Sequence, residues 1–137
     1  MADFLSSLKI AATGLHAQSA RMRVLAENIA NADSAGKTPE EDPYRRRIPS
    51  FQAVFDREAG GTVVKLGAVQ LDASDFETRY EPGHPAADAN GYVRYPNVDS
   101  LIETMDMREA QRTYEANLNV VTVTRQMLGA TLDILKG

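Results

Sequence analysis

From Asn97 to Lys136 the chain contains no proline, and apolar residues recur through it at helical spacing, so its C-terminal end is predicted to be one long helix. Pro96 supplies the break before it, and Ser100 to Glu103 matches a capping box at its start. Its expected length is roughly 55 Å at about 1.5 Å per residue. With Leu118 as the origin of a helical wheel, Val121, Leu128, Leu132 and Leu135 lie within about 100° of it, and Val120, Val123, Met127, Ala130 and Ile134 lie opposite. Between Asn117 and Leu135 only Arg125 and Asp133 are charged, and Arg125 interrupts the first stripe for no reason the pattern supplies.

A second helix is expected at the N-terminus, from Asp3 as N-cap to Asn31. Phe4, Leu8, Ala11, Leu15, Met22, Leu25 and Ile29 recur there at steps of three, four or seven. Ala12, Gly14, Ala17, Ala20, Ala26 and Ala30 make this helix slim, and Gly14, which costs about 1 kcal/mol in a helix interior, implies close approach of a neighbour. The two helices are expected to pair as a coiled-coil-like bundle, one apolar stripe of the C-terminal helix meeting its partner. The other stripe is left for neighbouring copies or sister subunits, because an isolated two-helix pair is marginal in water. With their covering partners missing, the ends of a free monomer are expected to be disordered.

Between the helices the composition turns to loop and short strands. Asp33 to Pro39 is rich in turn formers, Gly60-Gly61 reads as a turn, and Val64–Leu66 and Val69–Leu71 read as strand with a bulge at Gly67. Phe76, Thr78 and Tyr80 alternate as a further strand. Glu81-Pro82-Gly83-His84-Pro85 is a turn, and Asn90-Gly91 predicts a type I′ hairpin leading into Tyr92–Tyr95. The expected architecture is thus mainly α with a small β region: paired terminal helices over 1–32 and 97–137 form one polymerising domain, and 33–96 is a loop with short antiparallel strands.

The chemistry this leaves open is narrow. A net charge of −4 argues against nucleic acid, and Arg45-Arg46-Arg47 beside Glu40-Glu41-Asp42 reads as a solvated loop. With no cysteine there is no disulfide, thiolate metal site or cysteine nucleophile, which suits a chain made in a reducing cytosol and used in an oxidising compartment. His16 has Ser19 and Ala20 at its i+3 and i+4 positions and reads as a surface histidine. His84, held between Gly83 and Pro85 with Asp88 nearby, reads as a rigid turn residue and not as part of a metal site. Glu103, Asp106 and Glu109 interleave with Arg108 and Arg112 as a solvated helix face. No cofactor, catalytic residue or metal ligand is expected. The N-terminus lacks the pattern of a secretory signal, and no window is apolar enough for direct membrane insertion.

Against this background Thr13-Gly14-Leu15, Arg21-Met22 and Ala26-Glu27-Asn28-Ile29-Ala30-Asn31-Ala32 resemble the N-terminal signature of the bacterial flagellar rod, hook and basal-body family. Pro43-Tyr44-Arg45-Arg46, Tyr80-Glu81-Pro82-Gly83-His84-Pro85, Asn90-Gly91-Tyr92-Val93, Pro96-Asn97-Val98 and Tyr114-Glu115-Ala116-Asn117 are similar to the proximal-rod branch of that family. Lys37 departs from it, standing where many members have an aromatic. The resemblance implies a structural subunit exported unfolded through the flagellar type III export apparatus with its N-terminus uncleaved. It further implies helical polymerisation in the periplasm with copies of itself, with proximal and distal rod proteins and with the junction protein of the MS ring, as part of a hollow drive shaft. The alternative is a peripheral membrane binder built on amphipathic helices, whose polar face should then be rich in lysine and arginine.

Overall fold

The computed structural model describes residues 2–137, with side chains from Asp3 onward. Its elements are α1 (Ala2–Ala30), β1 (Arg47–Ile48), β2 (Phe51–Asp56), β3 (Gly61–Leu66), β4 (Gln70–Leu71), β5 (Glu77–Tyr80), β6 (Tyr92–Tyr95) and α2 (Ser100–Lys136). Two long helices enclose, in sequence, three separate two-stranded antiparallel sheets.

The helix starts differ from expectation. α1 is already helical at Ala2, so Asp3 lies inside the first turn, where its carboxylate faces the positive pole of the helix. α2 is capped by Asp99 and not by Ser100: Asp99 Oδ1 accepts the amides of Leu101 at 3.0 Å and Ile102 at 3.4 Å. Glu103 is thereby released from the predicted capping box and turns its carboxylate inward. At the other end of α1, Asn31 donates its side-chain amide to the Glu27 carbonyl at 2.9 Å and closes the last turn.

The chain forms two compact units. The first comprises residues through Met22, Ser50–Ala68 and Arg108–Gly137. Here β2 and β3 form a hairpin in register from Phe51 opposite Leu66 to Asp56 opposite Gly61. Asp56 builds its turn by accepting the amides of Glu58 and Ala59, and Gly60 closes it at a φ of 73°, a left-handed conformation open to glycine. The hairpin lies on α1: a Cβ at Gly61 would stand 3.0 Å from Ile10 Cδ1, and Val63 is fully buried. The two helices run antiparallel within this unit, Gly14 meeting Asn117 and Arg21 reaching Glu109 at 3.9 Å.

The second unit comprises Arg23–Pro49 and Val69–Met107. β1 pairs with β4, and β5 with β6 in register from Glu77 opposite Tyr95 to Tyr80 opposite Tyr92. Ala86, Val93 and Tyr95 form its small core, with Ala35 and Ala87 packed against them. The break at Gly67 is therefore a change of partner and not a bulge, since β3 pairs with β2 and β4 with β1. Nor is Asn90-Gly91 a type I′ turn, because Gly91 alone has positive φ, at 86°. An eleven-residue connection joins β5 to β6 (residues 81–91), and its last turn is organised by Asp88, whose Oδ1 accepts the amides of Asn90 at 2.8 Å and Tyr92 at 2.9 Å.

Candidate assembly interface

In the first unit, burial along α2 recurs at Ala110, Tyr114, Asn117, Val121, Thr124 and Leu128, in alternating steps of four and three. This is a heptad seam, but a slim and polar one, with alanine, asparagine and threonine where a self-sufficient pair would carry leucine. On α1 the matching positions are Ala11, Gly14 and Gln18. The tight point is Gly14, where a Cβ would stand 2.9 Å from Asn117 Nδ2. The expected close approach at this glycine is thus made by α2 of the same chain.

The large apolar side chains of α2 lie mostly off this seam. Of the stripe assigned to intramolecular pairing, Val121 and Leu128 are half-buried, whereas Leu118, Leu132 and Leu135 are exposed. The opposite stripe stands in the open: Val120 is 48% exposed, Val123 52%, Met127 52% and Ile134 79%. Leu8, Leu15, Met22 and Ile29 of α1 are half-buried. Each apolar side chain left in water forgoes roughly 1.5–3 kcal/mol that burial would supply, and monomeric proteins seldom leave such a row uncovered.

In the second unit the motif residues converge on a polar network. Asn28 and Glu103 are both wholly buried. The Asn28 amide donates to the Arg47 carbonyl at 2.8 Å and to Glu103 Oε2 at 3.2 Å, and its Oδ1 accepts from the Tyr44 hydroxyl at 2.7 Å and the Arg47 amide at 3.0 Å. Every hydrogen-bonding position of that side chain is used. Arg46 donates its Nε to Glu103 and its Nη1 to Asp72 at 3.2 Å, while its backbone amide donates to Asn97 Oδ1 at 2.8 Å. Asn97 then holds the far loop, donating to the carbonyls of Asp72 and Ser74, each at 3.1 Å. Arg45 donates to the same two carbonyls and stacks over Phe76 at 4.1 Å.

Two expectations are corrected by this network. The arginine run is not a simple solvated loop, because Arg45 and Arg46 are half-buried, the first bonded to carbonyls and the second paired with Asp72 and Glu103, and Glu103 does not belong to a solvated helix face. Burial holds the Tyr44 hydroxyl pKa above its usual value, and bonds donated by Ser74, aided by Arg46, hold the Asp72 carboxyl below the usual carboxylate range.

The remaining motif residues have structural tasks. His84 Nδ1 accepts the Ala86 amide at 3.0 Å, with its ring edge-on to Tyr95, as a rigid turn residue should. Pro82 and Gly83 are exposed in the β5–β6 connection, Pro96 is fully buried, and Tyr114 is half-buried in the seam of α2. His16 is exposed. Among the described residues no cluster of three potential metal-ligating side chains occurs, and no helix is long and apolar enough to cross a membrane.

Long helices that leave apolar rows uncovered, with a middle held by side-chain bonds to loops, define a class of subunit built for assembly. Comparisons with known proteins agree. Residues 8–36 match the family model described as "Flagella basal body rod protein", and residues 89–134 match "Flagellar basal body rod FlgEFG protein C-terminal". The flagellar basal-body rod protein FlgC of Agrobacterium fabrum is 51% identical over 93% of this chain and 92% of its own length. FlgC of Salmonella typhimurium is 41% identical over 95% of the chain and 96% of its own, and FlgC of Aquifex aeolicus 35% over 99% and 100%. The chain belongs to the FlgC family of flagellar basal-body rod proteins, and it is a structural rod subunit, not an enzyme.

Proposed function

We propose that this subunit builds the proximal rod, with 1–32 and 97–137 as the polymerising segments. It assembles helically with copies of itself and with proximal and distal rod proteins and the MS-ring junction protein, forming a hollow shaft that transmits torque. It reaches the periplasm through the flagellar type III export apparatus without a cleaved signal. The observation that carries this reading is the uncovered row Val120, Val123, Met127 and Ile134 on α2, for which a neighbouring helix is the natural cover. A membrane surface fits that row poorly, since the last turns carry only Arg125 and Lys136 as cations.

The test compares faces of one helix. Val123→Asp and Ile134→Asp place a carboxylate on the open row and should leave export and periplasmic level unchanged while removing the subunit from purified basal bodies. Leu128→Asp, in the half-buried seam, should instead destabilise the monomer by about 1–3 kcal/mol. If both open-row variants are found in basal bodies at parental copy number, the row is not an interface and the reading fails.

A further inference from the structure

Of the six asparagines in the chain only Asn90 is followed by glycine. Such a pair is chemically unstable in a mobile chain, because glycine has no Cβ to keep its amide nitrogen away from the asparagine side chain. Reaction there closes a cyclic imide. The Gly91 nitrogen bonds to Asn90 Cγ, the side-chain nitrogen leaves as ammonia with the proton that Gly91 gives up, and water then opens the imide at one carbonyl or the other. The product is aspartate, or isoaspartate with the backbone lengthened by a methylene.

The folded turn opposes this reaction at the nucleophile. Asp88 accepts three consecutive amides: those of Asn90 at 2.8 Å and Tyr92 at 2.9 Å on its Oδ1, and that of Gly91 at 3.0 Å on its backbone carbonyl. The attacking nitrogen is thus committed to a carbonyl and its two neighbours are pinned, so the backbone between Asn90 and Gly91 does not turn that nitrogen toward Cγ unless these bonds break. The Gly91 carbonyl is held as well, accepting the Glu81 amide at 2.9 Å. Gly91 is buried, and a Cβ there would stand 2.7 Å from Tyr80 Cε2 and 3.2 Å from Pro82 Cβ, so a ring and a proline crowd it. The Asn90 side chain, by contrast, is exposed and makes no hydrogen bond among the described residues.

We infer that Asn90-Gly91 is a deamidation site that folding closes, with Asp88 as the residue that closes it. The reaction then runs only through molecules in which the turn has opened, and its rate in the folded chain follows the population of that open form. A chain that has yet to fold has no such protection. The products also fit the turn badly. A carboxylate at position 90 adds a second negative charge beside Asp88, and the isoaspartyl form shifts Gly91 out of its left-handed position. None of this depends on the polymer reading, and it holds whatever the chain assembles with.

Peptide mapping by mass spectrometry, with enzymatic methylation to count isoaspartate, reads the site directly. The full chain is incubated folded in mildly alkaline buffer and, in parallel, unfolded in urea. In urea Asn90 should convert faster than Asn28, Asn31, Asn97, Asn117 and Asn119, each of which precedes a bulkier residue. In the folded chain conversion at Asn90 should be slower by about tenfold or more. Asp88→Ala, with its fold confirmed by the near-ultraviolet tyrosine signal, should convert at a rate between these two, while Asp88→Asn keeps a side-chain acceptor and should stay close to the parent. Equal rates in the folded and unfolded parent overturn the inference, and so does a rate in urea at Asn90 no higher than at the other asparagines. A folded Asp88→Ala that converts no faster than the parent overturns the role given to Asp88. Amide exchange in the parent repeats the test without any variant: the Gly91 amide should be protected by at least the factor that slows deamidation, and an unprotected Gly91 amide overturns the inference.

Discussion

The Asn28 amide donates to Glu103 at 3.2 Å with neither side chain exposed, joining two residues 75 positions apart in the chain. In the second unit this bond ties α1 directly to α2, and every other group it touches is itself bonded. Such a network is worth most when complete, since removing one member strands the others in a dry environment. Asn28→Leu should therefore destabilise the protein by about 2–4 kcal/mol, read as a fall in thermal midpoint. Asn28→Asp should be at least as damaging, because it sets a second carboxylate against buried Glu103. A midpoint within a degree of the parent for both variants would show that the network carries no net stability.

Arg46 bridges Glu103 and Asp72, and loses both partners at once on truncation. Arg46→Ala leaves the Glu103 carboxylate buried and unpaired, at a cost of about 3–5 kcal/mol, while Arg46→Lys keeps the charge but not the two-pronged geometry and should recover only part of it. Urea unfolding followed by tyrosine fluorescence measures both, and full recovery by lysine would contradict the geometric argument.

Acid should loosen the same unit. The Asp72 carboxyl is held below its usual pKa, mainly by bonds from Ser74 and then by Arg46. A depressed folded-state pKa contributes stability that is present above the unfolded value, about 3.9, and is lost as pH falls through the folded one. Stability of the parent should decline below about pH 4, and Asp72→Asn should flatten that decline. An acid limb of identical slope in the variant would assign the loss to other carboxylates.

Gly91 occupies a left-handed position, and a Cβ there would stand 2.7 Å from the Tyr80 ring. Gly91→Val should therefore disorder the β5–β6 pair, visible as loss of the near-ultraviolet tyrosine signal. Because Asp88 and not Asn90 organises the turn, Asp88→Ala should cost about 1 kcal/mol more than Asn90→Ala. Equal effects would restore the simple two-residue turn.

The C-terminal part of α2 should exchange its amide hydrogens fastest in the free subunit. Leu132, Ile134 and Leu135 are exposed there, and among the described residues no side-chain hydrogen bond or ion pair ties these last turns to another element. Strong protection from Leu132 to Lys136 in dilute monomer would contradict this.

The helices were legible in the sequence because nothing in them breaks a helix and their apolar residues keep a helical period. The seam was not, since Ala110, Asn117 and Thr124 carry no hydrophobic signal, and the eye follows Leu118 and Leu132 to the wrong face. β2 escaped notice because Phe51, Val54 and Phe55 are all exposed, so no alternation between core and solvent marks it. The polar network was invisible for another reason. Its members lie far apart in the chain, and an arginine run or a helix glutamate looks solvated until the fold supplies its partner. Only the motif resemblance singled out Asn28 and Asn97, and it gave no hint of what they bond.

The slim seam between α1 and α2 has a mechanical consequence. Alanine, threonine and asparagine bury little apolar surface per turn, so within the first unit the two helices part at small cost, while in the second unit the Asn28–Glu103 bond still ties them. What resists such motion must come from the surroundings. On the proposed assembly, the first unit gains its rigidity where neighbours grip the outer rows, so stiffness there becomes a property of the finished shaft and not of the parts delivered to it.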